Sequence, residues 1–372
     1  MTDETAPKRV LVILTGLYQN GAVLSTLTTL KYLDRTRFSP ELFVLNPGEV
    51  WPELLRATPV TYGRRPGEGK LQLPLLLTRL WHVLRRSDVV VGGLEMTPTF
   101  LAVILGKLTG KPSVGFVRNS LPELLEGLPN RYTTLTHRLY PGLNRVVAIS
   151  TGIQTSVESL IPALKRKVRT VYIPVELGGL EARAQEPLPA IAPKEPYLVA
   201  VGRLEPQKGF DILLNAYADL RARGVREPLV LVGEGAERER LEALAHSLNV
   251  AEHVVFAGFQ ANPYAWMRGA KVFVSSSRFE GFCRVIAESL AVGTPVVSTD
   301  CPSGPAEVLE YGQAGVLVPN EDVQGLADGL YELLQDADRQ QKLRDYGPTR
   351  ARAFSPEASA RGFENVLAEL SW

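Results

Sequence analysis

Short apolar runs rich in valine, each followed by a helix-like pattern, recur along the whole chain. Val89-Val90-Val91, for example, is continuously apolar, as a parallel strand covered on both faces requires. Alternation of such runs with amphipathic patterns predicts an α/β fold on doubly wound parallel sheets. In the first half, the pattern predicts strands at Arg9–Leu14, Leu42–Leu45, Val89–Gly92, Ser113–Phe116 and Arg145–Ile149, with helices at Val23–Leu33, Leu73–Leu84 and Thr99–Leu108.

The alternation stops between Glu181 and Pro196, where prolines lie among alanine and glutamate. This composition is typical of a linker. The alternation then resumes, and a chain of 372 residues is long enough for two cores. We therefore predict two tandem Rossmann-like domains with a cleft between them, residues 1–185 and 186–354, and a helix within 355–372 that packs back on the first domain.

The composition argues against several classes of protein. Cys283 and Cys301 are the only cysteines and cannot form a disulfide framework, which favours a reducing compartment. The four histidines show no zinc-ligand spacing. The apolar run Val10–Leu14 is too short for a signal peptide, and no stretch approaches the ~18 apolar residues of a membrane span. We therefore expect a cytoplasmic chain.

Charge is distributed unevenly between the two halves. Residues 1–180 hold 22 lysines and arginines against 13 acidic residues, a net charge of +9. Residues 181–372 hold 19 against 27, a net charge of −8. A basic first half predicts a first domain that faces an anionic partner.

The segment from Ser275 to Leu309 predicts the chemistry best. It places Glu280 on a strand-to-helix loop and Glu288 roughly two turns into the following helix. At ~1.5 Å of rise per residue, the two carboxylates lie on the order of 10 Å apart, too far to act as an acid/base pair on one bond. The spacing suits two hydroxyl-rich ends of one ligand, with a helix N-terminus between them for a diphosphate. The pattern predicts a nucleotide sugar.

Three motifs then carry a family resemblance: Gly202-Arg203-Leu204 with Lys208-Gly209-Phe210-Asp211, Val232-Gly233-Glu234-Gly235, and the segment with Glu280. Together they resemble the retaining GT-B glycosyltransferases of family 4 (group 1), of the bacterial type that builds polysaccharides and lipid-linked glycans. The specific match covers residues 197–330, and the first half matches only in layout. The resemblance implies a nucleotide-sugar donor, by preference a UDP-sugar, a hydroxyl acceptor on a glycan or lipid-linked glycan, retention of configuration and no metal.

The resemblance also implies roles for residues of the donor site. Arg203 and Lys208 would contact the diphosphate, where two cations can neutralise the leaving group as Mg²⁺ does elsewhere. Glu280 would bind hydroxyls of the donor sugar, and Glu288 would bind those of the ribose. Arg284 is either a phosphate ligand or a surface residue. The other predicted donor contacts are backbone groups at Gly202, Gly281, Phe282 and Cys283, and the loop of Phe259 against the base.

On the acceptor side, the resemblance points to the loop with Gly16, Asn20 and Gly21, which opens a helix. The chain departs from the family at Arg118, since many members carry histidine in this neighbourhood. Arginine does not deprotonate and cannot serve as a general base, so Arg118 would instead stabilise phosphate or acceptor charge.

The segment Lys70–Arg86 combines an apolar body with Trp81 and a basic end. It is either an interfacial helix on an anionic membrane or a helix that packs in the core, with Arg85 and Arg86 complementing its dipole. In the first case, the protein would be peripheral at the inner face of the membrane.

Two other functions remain open, a nucleotide-sugar epimerase and a non-catalytic nucleotide-sugar-binding scaffold. A nicotinamide cofactor is excluded, because Gly233-Glu234-Gly235 lacks the third glycine and a ribose-binding acid at the proper distance. Nucleic acid is not expected as a partner, because no basic-aromatic stripe accompanies the basic half.

Overall fold

The computed structural model of the chain describes residues 6–18, 20–48, 55, 58–64 and 73–371. The chain divides into two compact units, Met1–Pro174 with Pro356–Trp372, and Val175–Ser355. We call them the N-terminal unit and the C-terminal unit. Each is built on one parallel sheet with helices, so the predicted α/β class and the two Rossmann-like sheets are confirmed.

The sheet of the N-terminal unit has the strand order β3-β2-β1-β4-β5-β6-β7 within the described residues. In its centre, Val10 of β1 lies opposite both Pro40 and Val89. The strands are β1 (Lys8–Leu14), β2 (Phe38–Val44), β3 (Val60–Tyr62), β4 (Val89–Gly92), β5 (Ser113–Val117), β6 (Arg145–Ala148) and β7 (Val168–Thr170). Helices before the boundary are α1 (Gly21–Lys31), α2 (Leu73–Arg86), α3 (Thr97–Thr109), α4 (Leu121–Glu126), α5 (Asn130–Leu139) and α6 (Thr151–Leu160).

The sheet of the C-terminal unit has the order β10-β9-β8-β11-β12-β13. Its strands are β8 (Leu198–Val201), β9 (Leu229–Val232), β10 (Val254–Gly258), β11 (Val272–Ser275), β12 (Val296–Asp300) and β13 (Val316–Pro319). Its helices are α7 (Leu180–Ala184), α8 (Phe210–Ala222), α9 (Arg238–Ser247), α10 (Tyr264–Gly269), α11 (Arg284–Ala291), α12 (Pro305–Val308), α13 (Val323–Gln335) and α14 (Ala337–Ala351).

The last helix, α15 (Pro356–Ala368), packs in the N-terminal unit. The hydroxyl of Ser359 lies 3.1 Å from that of Thr29 on α1. The ring of Phe363 packs on Phe116 of β5, with the centroids 5.1 Å apart. The end of the chain therefore completes the core that its beginning starts.

The boundary between the units lies earlier in the chain than the composition predicts. Helix α7 belongs to the C-terminal unit because Arg183 fastens it there. The Arg183 guanidinium donates to the carbonyl of Ala261 at 2.8 Å and stacks 4.6 Å above the ring centroid of Tyr264. The proline-rich stretch after α7 is thus a surface segment of the C-terminal unit rather than the division between units.

The fold predicts different costs for two glycine-to-alanine substitutions. Gly209 and Gly224 both have positive φ, +61° and +88°. A Cβ at Gly209 would lie 2.1 Å from the carbonyl oxygen of Ser276, whereas nothing lies within 4 Å of a Cβ at Gly224. Gly224→Ala should cost about 1–2 kcal/mol from backbone conformation alone. Gly209→Ala should cost roughly 1–3 kcal/mol more, as overpacked sites do. Urea unfolding of the two variants measures the difference, and equal midpoints would contradict the close approach.

Candidate functional site

Two loops meet at one edge of the C-terminal sheet. One loop follows β8 and contains a short 3₁₀ turn, Pro206–Lys208, and the other follows β11 and leads to α11. Strands β8 and β11 are parallel neighbours, so their carboxyl ends lie at the same edge. This edge is where open parallel sheets bind ligands.

Arg278 joins the two loops. Its guanidinium donates to both carboxylate oxygens of Asp211, at 2.9 and 2.7 Å, and to the carbonyl of Pro206 at 2.7 Å. This bidentate pair holds the pKa of Asp211 below its ordinary value, through the hydrogen bond first and the charge second. The hydroxyl of Ser276 also donates to the carbonyl of Lys208 at 2.9 Å. The loops are therefore fixed relative to each other by paired and bidentate contacts.

The contact that these loops create is an ion pair between Lys208 and Glu280. Lys208 Nζ donates to Glu280 Oε1 at 2.6 Å, and the Ser277 hydroxyl donates to the same oxygen at 2.8 Å. Only 18% of the lysine side chain and 9% of the glutamate side chain are exposed. Burial disfavours the charged amine, but the adjacent Glu280 carboxylate outweighs it, so the pKa of Lys208 is raised. The Lys208 amine therefore stays charged at neutral pH.

Arg203 lies at the same edge with a more open environment. Its guanidinium is 2.5 Å from the carboxylate of Glu205, and 68% of its side chain is exposed. The positive charge of Arg203 acts to lower the pKa of Lys208, which shows that the two cations are near each other. Gly202 lies beneath the lysine stem, since a Cβ there would be 3.4 Å from Lys208 Cγ. The structure thus brings together Gly202, Arg203, Lys208 and Glu280, as the sequence predicts.

Helix α11 begins later than the sequence predicts. Cys283 has a left-handed backbone, with φ of 64°, and holds the chain in the loop until Arg284. Glu288 therefore lies about one turn into the helix, and the prediction of two turns was wrong. The ring of Phe282 packs against Phe354, with the centroids 5.1 Å apart. A ligand contact at Phe282 would come from its backbone.

Glu288 is a buried carboxylate on the inner side of α11. Its Oε1 accepts a hydrogen bond from Arg284 Nε at 2.9 Å. Burial raises the pKa of Glu288, and the charge of Arg284 only partly offsets this. Burial, with the nearby Glu288 charge, also raises the pKa of Tyr264 to about 12. Arg284 is thus the direct partner of Glu288 in this structure.

An apolar pocket of about 270 Å³ opens beside Arg203, at the ends of β8, β9 and β10. Gly233 has φ of +147°, and a Cβ there would lie 1.8 Å from the carbonyl oxygen of Gly202. Gly202, Gly233 and the exposed ring of Phe259 all line the pocket. The pocket has the dimensions and the apolar lining that suit a flat heterocycle.

In the N-terminal unit, the loop before α1 is held by its own residues. The side chain of Asn20 accepts from Val23 N at 2.9 Å and caps the helix. A Cβ at Gly16 would lie 2.6 Å from the ring of Tyr18, whereas nothing lies within 4 Å of one at Gly21. A side chain at Gly16 would require the exposed ring of Tyr18 to move, whereas Gly21 has open space for one.

Arg118 is buried inside the N-terminal unit. Its guanidinium donates to the hydroxyls of Ser25 at 2.8 Å and Thr26 at 2.7 Å, both on α1. Burial lowers the pKa of Arg118 to about 10, and the charge of Glu95 opposes this shift. The side chain remains protonated at neutral pH and ties α1 to the end of β5.

Glu95 lies at the carboxyl edge of the N-terminal sheet and was not among the residues predicted from the sequence. Its Oε1 accepts from the backbone nitrogens of Arg118 at 2.5 Å and Asn119 at 3.0 Å. It lies just after β4, beside Met96, whose φ is 60°. A carboxylate directly after the Gly92-Gly93 end of a central parallel strand is the signal that could have identified it.

Comparison with known proteins shows the fold and the family that the chain resembles. The solved structure of Anabaena Alr3699/HepE in complex with UDP aligns with a TM-score of 0.80 and 22% identity, over 98% of this chain and 100% of that one. WaaG, a glycosyltransferase of lipopolysaccharide biosynthesis, aligns with a TM-score of 0.69 and 15% identity, over 97% and 100%. These likenesses and the two parallel sheets define a protein with the GT-B glycosyltransferase fold. Residues 183–350, slightly less than half of the chain, match the model of the glycosyl transferases group 1.

Two curated relatives are similar over part of their length. The N-acetylgalactosamine-N,N'-diacetylbacillosaminyl-diphospho-undecaprenol 4-alpha-N-acetylgalactosaminyltransferase of Campylobacter jejuni is 32% identical over 250 residues, which is 67% of this chain and 65% of the relative. The lipopolysaccharide core biosynthesis glycosyltransferase LpsE of Rhizobium meliloti is 35% identical over 226 residues, 60% of this chain and 64% of the relative. The chain thus spans slightly less than two thirds of either relative.

The environment of the two cysteines predicts inert thiols. Cys283 and Cys301 are both buried and free, and burial raises the pKa of Cys283 to about 12. Neither thiol should react with a water-soluble disulfide reagent at pH 8 in the folded protein, because the thiolate is the reactive species. Both should react in urea, which serves as the control. Rapid labelling of the native protein would contradict the placement of Cys283.

Proposed function

We propose that this chain is a retaining glycosyltransferase of family 4 that transfers a sugar from a UDP-sugar to a hydroxyl of a glycan or lipid-linked acceptor. The observation that carries the proposal is the buried Lys208–Glu280 pair at the edge of the C-terminal sheet, 2.6 Å apart. The relatives support it, since the Campylobacter protein is named for transfer to a diphospho-undecaprenol glycan and the HepE structure holds UDP.

The donor would lie along the C-terminal unit from the apolar pocket to Glu280. The base would occupy the pocket beside Phe259, and the ribose hydroxyls would bind the carboxylate of Glu288. Lys208 and Arg203 would face the diphosphate, with the backbone at the start of α11. The second oxygen of Glu280 would accept hydrogen bonds from the sugar, since its Oε1 is engaged by Lys208 and Ser277.

We infer that transfer occurs on the face from which the leaving group departs. The acceptor oxygen forms a bond to the anomeric carbon while the bond from that carbon to the diphosphate oxygen breaks. The acceptor proton passes to the departing diphosphate, so the product is the glycoside and a nucleoside diphosphate. Cys283 is a poor candidate for a covalent nucleophile, because burial raises its pKa to about 12.

The acceptor would bind the N-terminal unit at the edge formed by the Gly16–Gly21 loop and Glu95. Arg118 would act there as a positioning residue, because its guanidinium holds α1 and its backbone nitrogen holds Glu95. We propose that no resident metal ion is needed, with Lys208 and Arg203 carrying the positive charge. The free cysteines are typical of a reducing compartment, which supports a cytoplasmic location.

Neutralising either member of the Lys208–Glu280 pair should strongly reduce transfer and leave the fold intact. Glu280→Gln keeps the shape and one acceptor oxygen for Lys208 and Ser277, but it loses the charge that pairs with Lys208 and replaces the second acceptor with a donor. We expect transfer to fall by about 10²–10³-fold for Glu280→Gln and for Lys208→Met, the cost of losing one preorganised charge contact. The assay follows release of UDP and formation of the glycoside, with and without EDTA, and EDTA should have no effect.

The chain offers a matched control for this experiment. Lys271 and Glu227 form another lysine–glutamate ion pair in the same unit, at 2.7 Å, and both side chains are partly buried. Lys271→Met and Glu227→Gln should therefore lose a comparable contact without loss of transfer. Full transfer by Glu280→Gln would contradict the assignment. Conversion of the UDP-sugar to an isomer without an acceptor would identify an epimerase instead.

The raised pKa of Glu288 predicts a pH dependence of donor binding. Ribose hydroxyls bind the ionised carboxylate, so affinity should fall as pH drops through the folded pKa, which lies above the ordinary value of 4.5. A UDP-sugar is the suitable probe, since it lacks the terminal phosphate ionisation near pH 6. Calorimetry should show weaker binding and no such pH step for Glu288→Gln. GDP and ADP test the base, and no binding of any nucleotide would favour a non-catalytic scaffold.

A further inference from the structure

The outer face of helix α2 carries large apolar side chains. Leu73, Leu77 and Trp81 follow one another at four-residue spacing and therefore form one stripe along the helix. Their exposed fractions are 52%, 53% and 54%. The outward face of an ordinary surface helix is polar.

The inner face of α2 is also apolar, and it is fully used. Leu76, Leu80, Val83 and Leu84 are buried against the sheet, in a cluster with Leu11 and other strand residues. The interpretation of this segment as a helix that packs in the core is therefore correct for one side of α2. The packing of the inner face gives the exposed stripe no role within the N-terminal unit. Residues 70–72 of the segment lie outside the described residues.

The exposed apolar surface continues on the neighbouring helix α3. Ala102 of α3 belongs to the same buried cluster as the inner face of α2. Lys111, just after α3, donates to the carbonyl of Leu84 at 2.6 Å, so the two helices lie in one layer. Ile104 and Leu108 are one turn apart on α3 and are 41% and 75% exposed. We call Leu73, Leu77, Trp81, Ile104 and Leu108 the outer helical face.

Cations border the outer helical face. Arg85 lies one turn beyond Trp81 and extends the stripe to the end of α2, and Lys107 is exposed beside Leu108 on α3. On α5, which packs against α3, Arg131 and Arg138 are exposed as well. An apolar centre with a basic border is the pattern of helices that lie in the interface of an anionic bilayer.

We propose that the outer helical face docks on the surface of an anionic lipid bilayer, with α2 lying in the interfacial plane. Trp81 would sit at the level of the headgroups, where indole rings are favoured. The net charge of +9 in residues 1–180 would add long-range attraction to the same membrane. No helix within the described ranges has the length and apolar character to cross a bilayer, so the contact would be peripheral. This proposal does not depend on the proposed enzymatic activity, because its test measures binding alone.

Co-sedimentation with vesicles tests the proposal. The purified full chain should bind vesicles of phosphatidylcholine with 30% phosphatidylglycerol. Its affinity for vesicles of phosphatidylcholine alone should be at least ~10-fold lower, because two or more interfacial cations each contribute about fivefold. Leu77→Glu should reduce binding to the anionic vesicles about 10-fold or more, since it places a carboxylate in the centre of the face.

Ile191→Glu is the matched control. Ile191 is 54% exposed and lies in the C-terminal unit, so the same change of charge occurs on a similarly exposed side chain elsewhere. This variant should bind as the wild type does. Equal loss in both variants, or wild-type binding by Leu77→Glu, would overturn the proposal. Arg85→Gln should reduce binding about fivefold at low salt and less at high salt.

Fluorescence gives a second readout that does not rely on a disruptive variant. Trp81 emission should shift to the blue and be quenched by brominated lipid when anionic vesicles are added. Trp81→Phe keeps an apolar ring and should retain binding in sedimentation, but it should lose most of the quenching. Quenching unchanged in Trp81→Phe would overturn the proposed orientation. A dimer in sedimentation velocity that Leu77→Glu dissociates would instead identify a second copy of the chain as the occupant.

Discussion

The ion pair of Lys208 and Glu280 is the contact around which the C-terminal unit is arranged. Removing two charges from water is costly, and their attraction repays that cost only when the geometry is fixed and further hydrogen bonds are made. Arg278 and Ser276 fix the two loops, and Ser277 supplies an additional donor to Glu280. The same fixed loops keep Arg203 beside the pair, in a solvent-exposed position from which it can meet an anion. Because the protein holds these charges in place without a ligand, the proposed transfer would need little reorganisation as the leaving diphosphate develops charge.

The N-terminal unit uses a buried cation for a different purpose. The Arg118 guanidinium donates hydrogen bonds to Ser25 and Thr26 of α1, and its backbone nitrogen donates to Glu95. A charge this deep is tolerated because hydroxyls and a nearby carboxylate compensate it. The arginine thereby sets the position of the first helix and of an acidic side chain at the same sheet edge. Where the family resemblance leads to the expectation of a histidine, this chain has a buried cation that holds neighbouring segments in place.

Much of this fold follows from periodicity, and the differences have physical causes. Both ends of strand β4 were predicted correctly, because a continuous run of valines is typical of a parallel strand that is buried on both faces. Strands β3 and β7 were missed, because a strand of three residues is too short to show a periodic pattern of apolar residues. The start of α11 was misjudged because Cys283 adopts a left-handed backbone that the sequence does not mark. Lys208 and Glu280 could be assigned to one site from their motifs, but their ion pair could not be predicted. The depth of Arg118 and the contacts of Glu95 likewise depend on distant segments.

Helix α15 places both ends of the chain in one unit, and this has a consequence for synthesis on the ribosome. Phe363 packs on Phe116 only after helix α15 has emerged. Residues 175–355, by contrast, form the C-terminal unit as one uninterrupted segment. At roughly 5–20 residues per second, the unit begun first waits on the order of 10–40 s for its final helix. We expect the second unit to fold first during translation, while the earlier one keeps an apolar groove open for chaperones.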